Sequence, residues 1–183
     1  EGKLPKQVME EGSGMHHEQL CQFYDVYHRT ARQNGTLDFG DLILAVIELF
    51  REHDGVRTSY QNRWSHILVD EFQDTNPAQY ALLRLLSTAP WNITVVGDDD
   101  QSIYTWRGAT VHNILGFESD FSPCKVVALE QNYRSTQPIL DLANALIEKN
   151  RERMAKRLWS ERASDIHPAL FVGWDDREEA SFI

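Results

Sequence analysis

The sequence predicts an α/β fold, a parallel sheet with crossover helices preceded by a helical segment. Short β-branched runs at Ile67-Leu68-Val69, Ile93-Thr94-Val95-Val96 and Val126-Val127-Ala128-Leu129 are each bounded by polar residues or glycine. Helical segments separate them, one over 77–86 with Pro77 at a first-turn position and one over about 111–118. Strand, helix, strand, helix, strand is the order that parallel pairing through crossovers requires. The 183 residues, 42% hydrophobic and 25% charged, suffice for one or two small domains with a buried core, and ten Gly and six Pro are too few for a disordered or fibrous chain.

Each element has its own local reason. Glu11-Gly12-Ser13-Gly14 reads as a linker into a helix over 15–34, where Leu20, Phe23, Val26 and Tyr27 recur at helical spacing and Asn34-Gly35 supplies the stop. Asp38 or Thr36 caps a second helix that carries Leu42, Ile43, Val46, Ile47 and Phe50 on one broad apolar face. A shorter helix is expected over 56–64. After the third apolar run come a helix over about 137–148, a strand near 169–172 and a helix opening at Asp175-Asp176.

The net charge of −10 excludes a bulk basic surface as the attraction for nucleic acid, so any phosphate contact must be local. Residues 125–162 form the one basic stretch, with eight Lys and Arg against five acids. Its run from Lys149 to Arg157 either touches phosphates or ends a solvated helix. Seven histidines show no metal-ligand spacing with cysteine and read as solvated helix surface. Cys21 and Cys124, 103 residues apart, make neither a zinc spacing nor a disulfide framework. No apolar run approaches the ~20 residues of a membrane span, and residues 1–5 have no signal-peptide apolar core. A cytoplasmic protein without a membrane partner is expected.

In open α/β sheets, chemistry gathers beyond the carboxyl ends of strands. Here both central strands end in acid: the first runs into Asp70-Glu71-Phe72-Gln73-Asp74-Thr75-Asn76, the second into Gly97-Asp98-Asp99-Asp100-Gln101. A hard cation wants carboxylate oxygen, and a neighbouring carboxylate can orient or deprotonate an attacking water, so Asp70 is the metal-side candidate and Glu71 the general base of a Mg²⁺-nucleotide site. The alternative is that both acids only cap a turn. Residues 97–109 pack three acids, a Gln, two aromatics and an Arg into one loop, a composition that a folding core does not need.

Asp70 to Asn76, Gly97 to Ala109, and Leu129-Glu130-Gln131-Asn132-Tyr133-Arg134-Ser135-Thr136 resemble motifs II, III and IV of the UvrD/Rep/PcrA helicases of superfamily 1, in that family's order. Leu37-Asp38-Phe39-Gly40-Asp41-Leu42 is similar to a further stretch of the family, with Gly40 where an Asp is usual. The resemblance covers about residues 20–183. It implies ATP and Mg²⁺ as cofactors, with Mg²⁺ on Asp70 beside Glu71. It implies Gln101 as sensor of the γ-phosphate, Tyr133 as the ring that stacks on adenine, and Arg134 as an arginine finger. Tyr104 and Trp106 would stack unpaired bases, with Arg107 adding charge beside them. Pairing with Glu130 in an ordinary salt bridge is the alternative for Arg134, and local core packing the alternative for Trp106.

The resemblance further implies RecA-like motor domains. Residues 1–35 would end a helical 1B-like subdomain, 36–129 form the second half of the first motor domain, and 130–183 start the second. No Gly-x-x-x-x-Gly-Lys-[Ser/Thr] loop occurs among the ten glycines, so the chain is expected to be an internal piece of a longer helicase and inactive alone. The parent would translocate 3′ to 5′ on single-stranded DNA and unwind duplex at junctions, with the rest of the helicase chain as partner. Two other classes stay open: a non-catalytic module that grips nucleic acid or protein, and a nuclease binding two metals through Asp70, Glu71, Asp98 and Asp99.

Overall fold

The structure, a computed structural model, describes residues 5–10, 12, 14–151 and 153–183. Glu11 and Ser13 of the expected linker lie outside them. The chain divides into two compact units, residues 1–124 and 125–183.

The first unit opens with α1 (Pro5–Glu10) and α2 (Met15–Gln33). Only Cys21 of α2 is buried, and the stripe of Leu20, Phe23, Val26 and Tyr27 is solvent-facing, because no described element covers it. The cap of α3 (Phe39–Glu52) is Asp38 rather than Thr36: Asp38 Oδ1 accepts the Asp41 N–H at 2.7 Å while Asp41 Oδ2 accepts the Asp38 N–H at 3.2 Å. This reciprocal box satisfies two of the amides that a helix start leaves open. The Asp41 amide, and then the Tyr27 hydroxyl at 2.9 Å, hold the Asp38 carboxyl below the usual carboxylate range. Ile47 and Phe50 are the buried side of α3, which packs on α4 (Asp54–Arg63) and α5 (Pro77–Leu86). Asn76 and Gln79 cap α5 by the same reciprocal device, with Pro77 in its first turn.

Helix α5 is the crossover between β1 (Ile67–Val69) and β2 (Ile93–Val95), which pair in parallel with Ile67 opposite Ile93 and Val69 opposite Val95. Alternation gives the two strands one inward side, where Ile67, Val69, Ile93 and Val95 are half-buried, and an outward side, where Leu68 is 78% exposed. The core lies under the inward side. Phe72, just beyond β1, is fully buried against Phe117 of α6 (His112–Asp120), edge to face at 5.3 Å, and Phe117 stacks on Phe121 at 4.5 Å. Val69, Val95, Tyr80 and Ile114 close around this cluster.

The second unit holds α7 (Gln137–Ile147) and α8 (Asp176–Phe182). Buried Asn144 ties α7 to the chain beyond it, donating to the Leu158 carbonyl at 2.8 Å and accepting the Leu158 N–H at 3.2 Å. The expected strands over 126–129 and 169–172 do not form. Their β-branched residues have no ladder partner among the described residues; Val127, Leu129, Leu170 and Val172 are exposed, and the one parallel bridge of this unit joins Gln131 to Trp159 instead. A strand is a property of two segments, and an apolar run alone supplies one. Both cysteines are free, and no described helix is long and apolar enough to cross a membrane.

Replacing Asp38 by Ala should destabilise the first unit by about 1 kcal/mol in urea denaturation. Because the Asp38 carboxyl sits below its usual range, the cap contributes fully above the ordinary carboxylate range and is lost as the pH falls through the depressed value. The gap between D38A and the parent chain should therefore close in acid.

Candidate functional site

The site of the first unit is built where the two strands end. The ladder continues one step past the strands: the Val96 N–H donates to the Val69 carbonyl at 2.8 Å, and the Phe72 N–H to the Val96 carbonyl at 3.0 Å. Between those bonds lie Asp70 and Glu71, both exposed. Glu71 sits at φ 50, ψ 43, the one non-glycine residue with positive φ among the described residues. That left-handed conformation is unfavourable for a residue with a Cβ and recurs where a side chain must be aimed rather than packed. Asp70 Oδ1 accepts the Glu71 N–H at 2.9 Å and so supports the turn, while Oδ2 makes no hydrogen bond among the described residues. One carboxylate therefore both supports the turn and keeps an oxygen without a hydrogen bond among the described residues.

Gln73, only 1% exposed, joins this tip to the next. Its Nε2 donates to Glu71 Oε2 at 2.7 Å, and its Oε1 accepts the Asp98 N–H at 3.0 Å. The close approach depends on Gly97, where a Cβ would lie 2.8 Å from Gln73 Oε1, 2.9 Å from Ile114 Cδ1 and 3.2 Å from the Phe72 nitrogen. The Asp98 carboxylate then accepts the Asp100 N–H at 3.0 Å on Oδ1 and the Gln101 side-chain amide at 2.8 Å on Oδ2. Glu71 and Gln101 thus lie at the two ends of one hydrogen-bonded path, on adjacent connections at the same end of the sheet.

The aromatic pair follows on the same loop. Trp106 is 76% exposed and does not pack into the core; Tyr104 is partly exposed, its ring 6.3 Å from the Trp106 ring at 49°. The Arg107 guanidinium carbon lies 5.5 Å from the Tyr104 ring and 5.1 Å from the Trp106 ring, within cation–π range of both. A 3₁₀ turn over Thr105–Arg107 ends at Gly108 with φ 86. Beyond it the loop is tied back to the β1 connection, because the Thr110 N–H and the Asn113 side-chain amide both donate to the Thr75 carbonyl, at 3.2 and 3.0 Å. Both ends of residues 98–110 are therefore bonded to residues 73–75.

Carboxylates gather less widely than a two-metal reading expects. Among the described residues, one group of three acids brings its oxygens within 4.8 Å of one another, Asp98 with Asp99 and Asp100, and neither Asp70 nor Glu71 belongs to it.

In the second unit, Asn132 shapes the turn that carries Tyr133 and Arg134. Its Oδ1 accepts the N–H groups of Arg134 at 2.9 Å and Ser135 at 2.7 Å, and its own N–H donates to the Trp159 carbonyl at 2.7 Å. Arg162 holds the turn from the other side, donating to the carbonyls of Arg134 at 2.6 Å and Tyr133 at 3.3 Å. The Tyr133 ring is 76% exposed, with its hydroxyl on Gln131. The alternative pairing of Arg134 with Glu130 is not formed: Glu130 Oε1 accepts the Arg157 backbone N–H at 3.0 Å, and the exposed Arg134 guanidinium has no ion pair among the described residues.

Sequence reasoning had not singled out Gln73, Gly97, Asn132 or Arg162 as residues that hold the site. A Gly directly after an apolar strand is a legible sign of close backbone approach, and an Asn two residues before an Arg is a legible sign of a side-chain turn. Nothing local marks Gln73 or Arg162, whose partners lie up to 25 and 29 residues away.

Residues 1–122 match the family described as UvrD/REP helicase N-terminal domain. The ATP-dependent DNA helicase PcrA of Staphylococcus aureus (strain Mu50) is 43% identical over 181 residues, covering 99% of this chain and 25% of that protein. The PcrA helicase of Staphylococcus epidermidis (strain RP62A) gives the same identity and the same shares. The chain spans about a quarter of the length of the curated relatives it matches.

Gly97→Ala should distort the junction of the two tips, at a cost of roughly 1–3 kcal/mol typical of overpacking. A matched Gly116→Ala, where an added Cβ meets nothing within 4 Å, should be near neutral. Denaturant midpoints of the two variants check this.

Proposed function

Because the chain belongs to the UvrD/REP helicase family, we propose that it is part of a motor that hydrolyses ATP to translocate 3′ to 5′ on single-stranded DNA and unwind duplex. In this reading residues 1–35 end a helical 1B-like subdomain, 36–129 complete a first RecA-like domain, and 130–183 begin a second. The parent acts in the cytoplasm on single strands and duplex junctions.

The observation that carries the proposal is the bonded path from Glu71 to Gln101, continuous with the loop that exposes Trp106. Asp70 fits a hard cation, since it stands at an exposed strand tip with no hydrogen bond to Oδ2 among the described residues, and it would hold Mg²⁺ there. The metal, when bound, would neutralise charge on the phosphates and orient the terminal one. Glu71, aimed outward by its left-handed backbone, orients the attacking water and accepts its proton. Gln101 offers a neutral amide that can exchange Asp98 for a phosphate oxygen and return when phosphate leaves. Arg134, exposed and without an ion pair among the described residues, suits a bidentate grip on the γ-phosphate, and the exposed Tyr133 ring suits stacking on adenine.

On the track side, Tyr104 and Trp106 present faces to unpaired bases. Arg107 lies over both rings, so it must yield its place or join the stack when a base arrives. Movement of the loop that answers to Gln101 then moves the base-holding rings.

In the full-length parent, Glu71→Gln should lower the DNA-stimulated rate of ATP hydrolysis by about 10²–10⁴, the usual range for loss of a general base. Unchanged hydrolysis would favour a non-catalytic module, and metal-dependent DNA cleavage without ATP would favour the nuclease. The 183 residues alone should hydrolyse no ATP. Trp106→Ala should weaken binding to oligo(dT) by about 1–3 kcal/mol, the worth of one stacked base, in fluorescence anisotropy at fixed salt.

A further inference from the structure

We propose that Gln73 is a positioning residue that makes ATP hydrolysis answer to DNA, by linking the group that handles water to the group that meets the phosphate. The proposal rests on the reading above, in which Glu71 and Gln101 have those two tasks.

Gln73 is buried, yet both ends of its carboxamide point at the site rather than at the core. The donor end reaches the Glu71 carboxylate, and the acceptor end takes the backbone N–H of Asp98, whose carboxylate holds Gln101. A buried polar group is costly unless paired, and a fold that needed only volume here would place an apolar side chain next to Phe72. Gly97 also yields room to the Gln73 carbonyl, which occupies space that any Cβ would claim.

The chemistry of the link is specific to a carboxamide. It donates at one end and accepts at the other, so it can serve a carboxylate and a backbone N–H at once. Glutamate in the same place would keep the acceptor, lose the donor while ionised, and set a second negative charge beside Glu71. Methionine would keep the length and lose both bonds. When Glu71 turns toward water, its bond to Gln73 must lengthen or turn with it. The change then reaches the Asp98 backbone, and through Asp98 the amide of Gln101 and the loop that bears Tyr104 and Trp106.

The test uses the full-length parent carrying Gln73→Met, Gln73→Glu, Gln101→Ala and the Gln73→Met/Gln101→Ala double change. ATP turnover is read with and without oligo(dT). Gln73→Met should lower the DNA-stimulated kcat by roughly 10–100-fold, the scale seen when a supporting hydrogen bond to a site carboxylate is lost, with KM for ATP within about twofold. The double change should be no worse than Gln101→Ala alone, because both interrupt one path. Gln73→Glu, which keeps the acceptor for the Asp98 N–H but not the donor to Glu71, should also lower the DNA-stimulated kcat, by roughly 10-fold or more. A merely structural role would raise KM together with the fall in kcat and would multiply with Gln101→Ala.

Multiplying effects in the double change, or wild-type stimulation in Gln73→Met, would overturn the proposal. If Gln73→Met does not fold, Gln73→Glu decides alone, and parental DNA-stimulated turnover in it overturns the proposal. Full hydrolysis by Glu71→Gln would instead sink the reading on which the proposal rests. Loss of hydrolysis in Glu71→Gln together with normal Gln73 variants would sink the proposal alone.

Discussion

Two strands of three residues each cannot hold themselves together, and the burial of Phe72 is what keeps these two aligned. Its ring lies in the aromatic cluster with Phe117 and Phe121, and its N–H extends the ladder to the Val96 carbonyl. One residue therefore joins the aromatic cluster of the first unit to the register of the sheet. Glu71 before it and Gln73 after it inherit their positions, one turned outward by a left-handed backbone and one turned inward between the tips. A core residue flanked by site residues makes the geometry of the acids a consequence of packing.

The two connections beyond the strands then behave as one piece. Gln73 grips the start of the second connection and Thr75 grips its end, so the segment with the acids, Gln101 and the exposed rings is held at both ends by the segment with Asp70 and Glu71. That arrangement suits a mechanism in which a change at a phosphate is felt at a base. The second unit prepares its own residues in the same manner, since Asn132 and Arg162 fix the backbone of the Tyr133-Arg134 turn and leave the Tyr133 ring and the Arg134 side chain exposed.

Much of this was legible from residue patterns. Capping chemistry at Asp38, Pro77 in a first turn and the apolar period of α3 locate the helices to within a few residues, because these signals are local. The runs at Ile67 and Ile93 become strands because each finds the other, whereas those at 126–129 and 169–172 find no partner, and nothing in the runs themselves distinguishes the two cases. The same limit applies to the site. Acid at a strand tip can be read directly, but a buried amide that serves partners 2 and 25 residues away becomes visible only when the chain is folded. Likewise, the spacing of Tyr104, Trp106 and Arg107 suggests a stacking surface without revealing that the arginine already lies over both rings.

The most direct measurement is a structure of the parent protein with a non-hydrolysable ATP analogue, Mg²⁺ and a single-stranded oligonucleotide. In that complex Gln101 Nε2 should have left Asp98 for a γ-phosphate oxygen, at the ~3 Å of a hydrogen bond, with Glu71 on the attacking water and a base against Trp106. A complex in which Gln101 stays on Asp98, Glu71 faces away from the phosphate, or the strand bypasses Trp106 would contradict this mechanism.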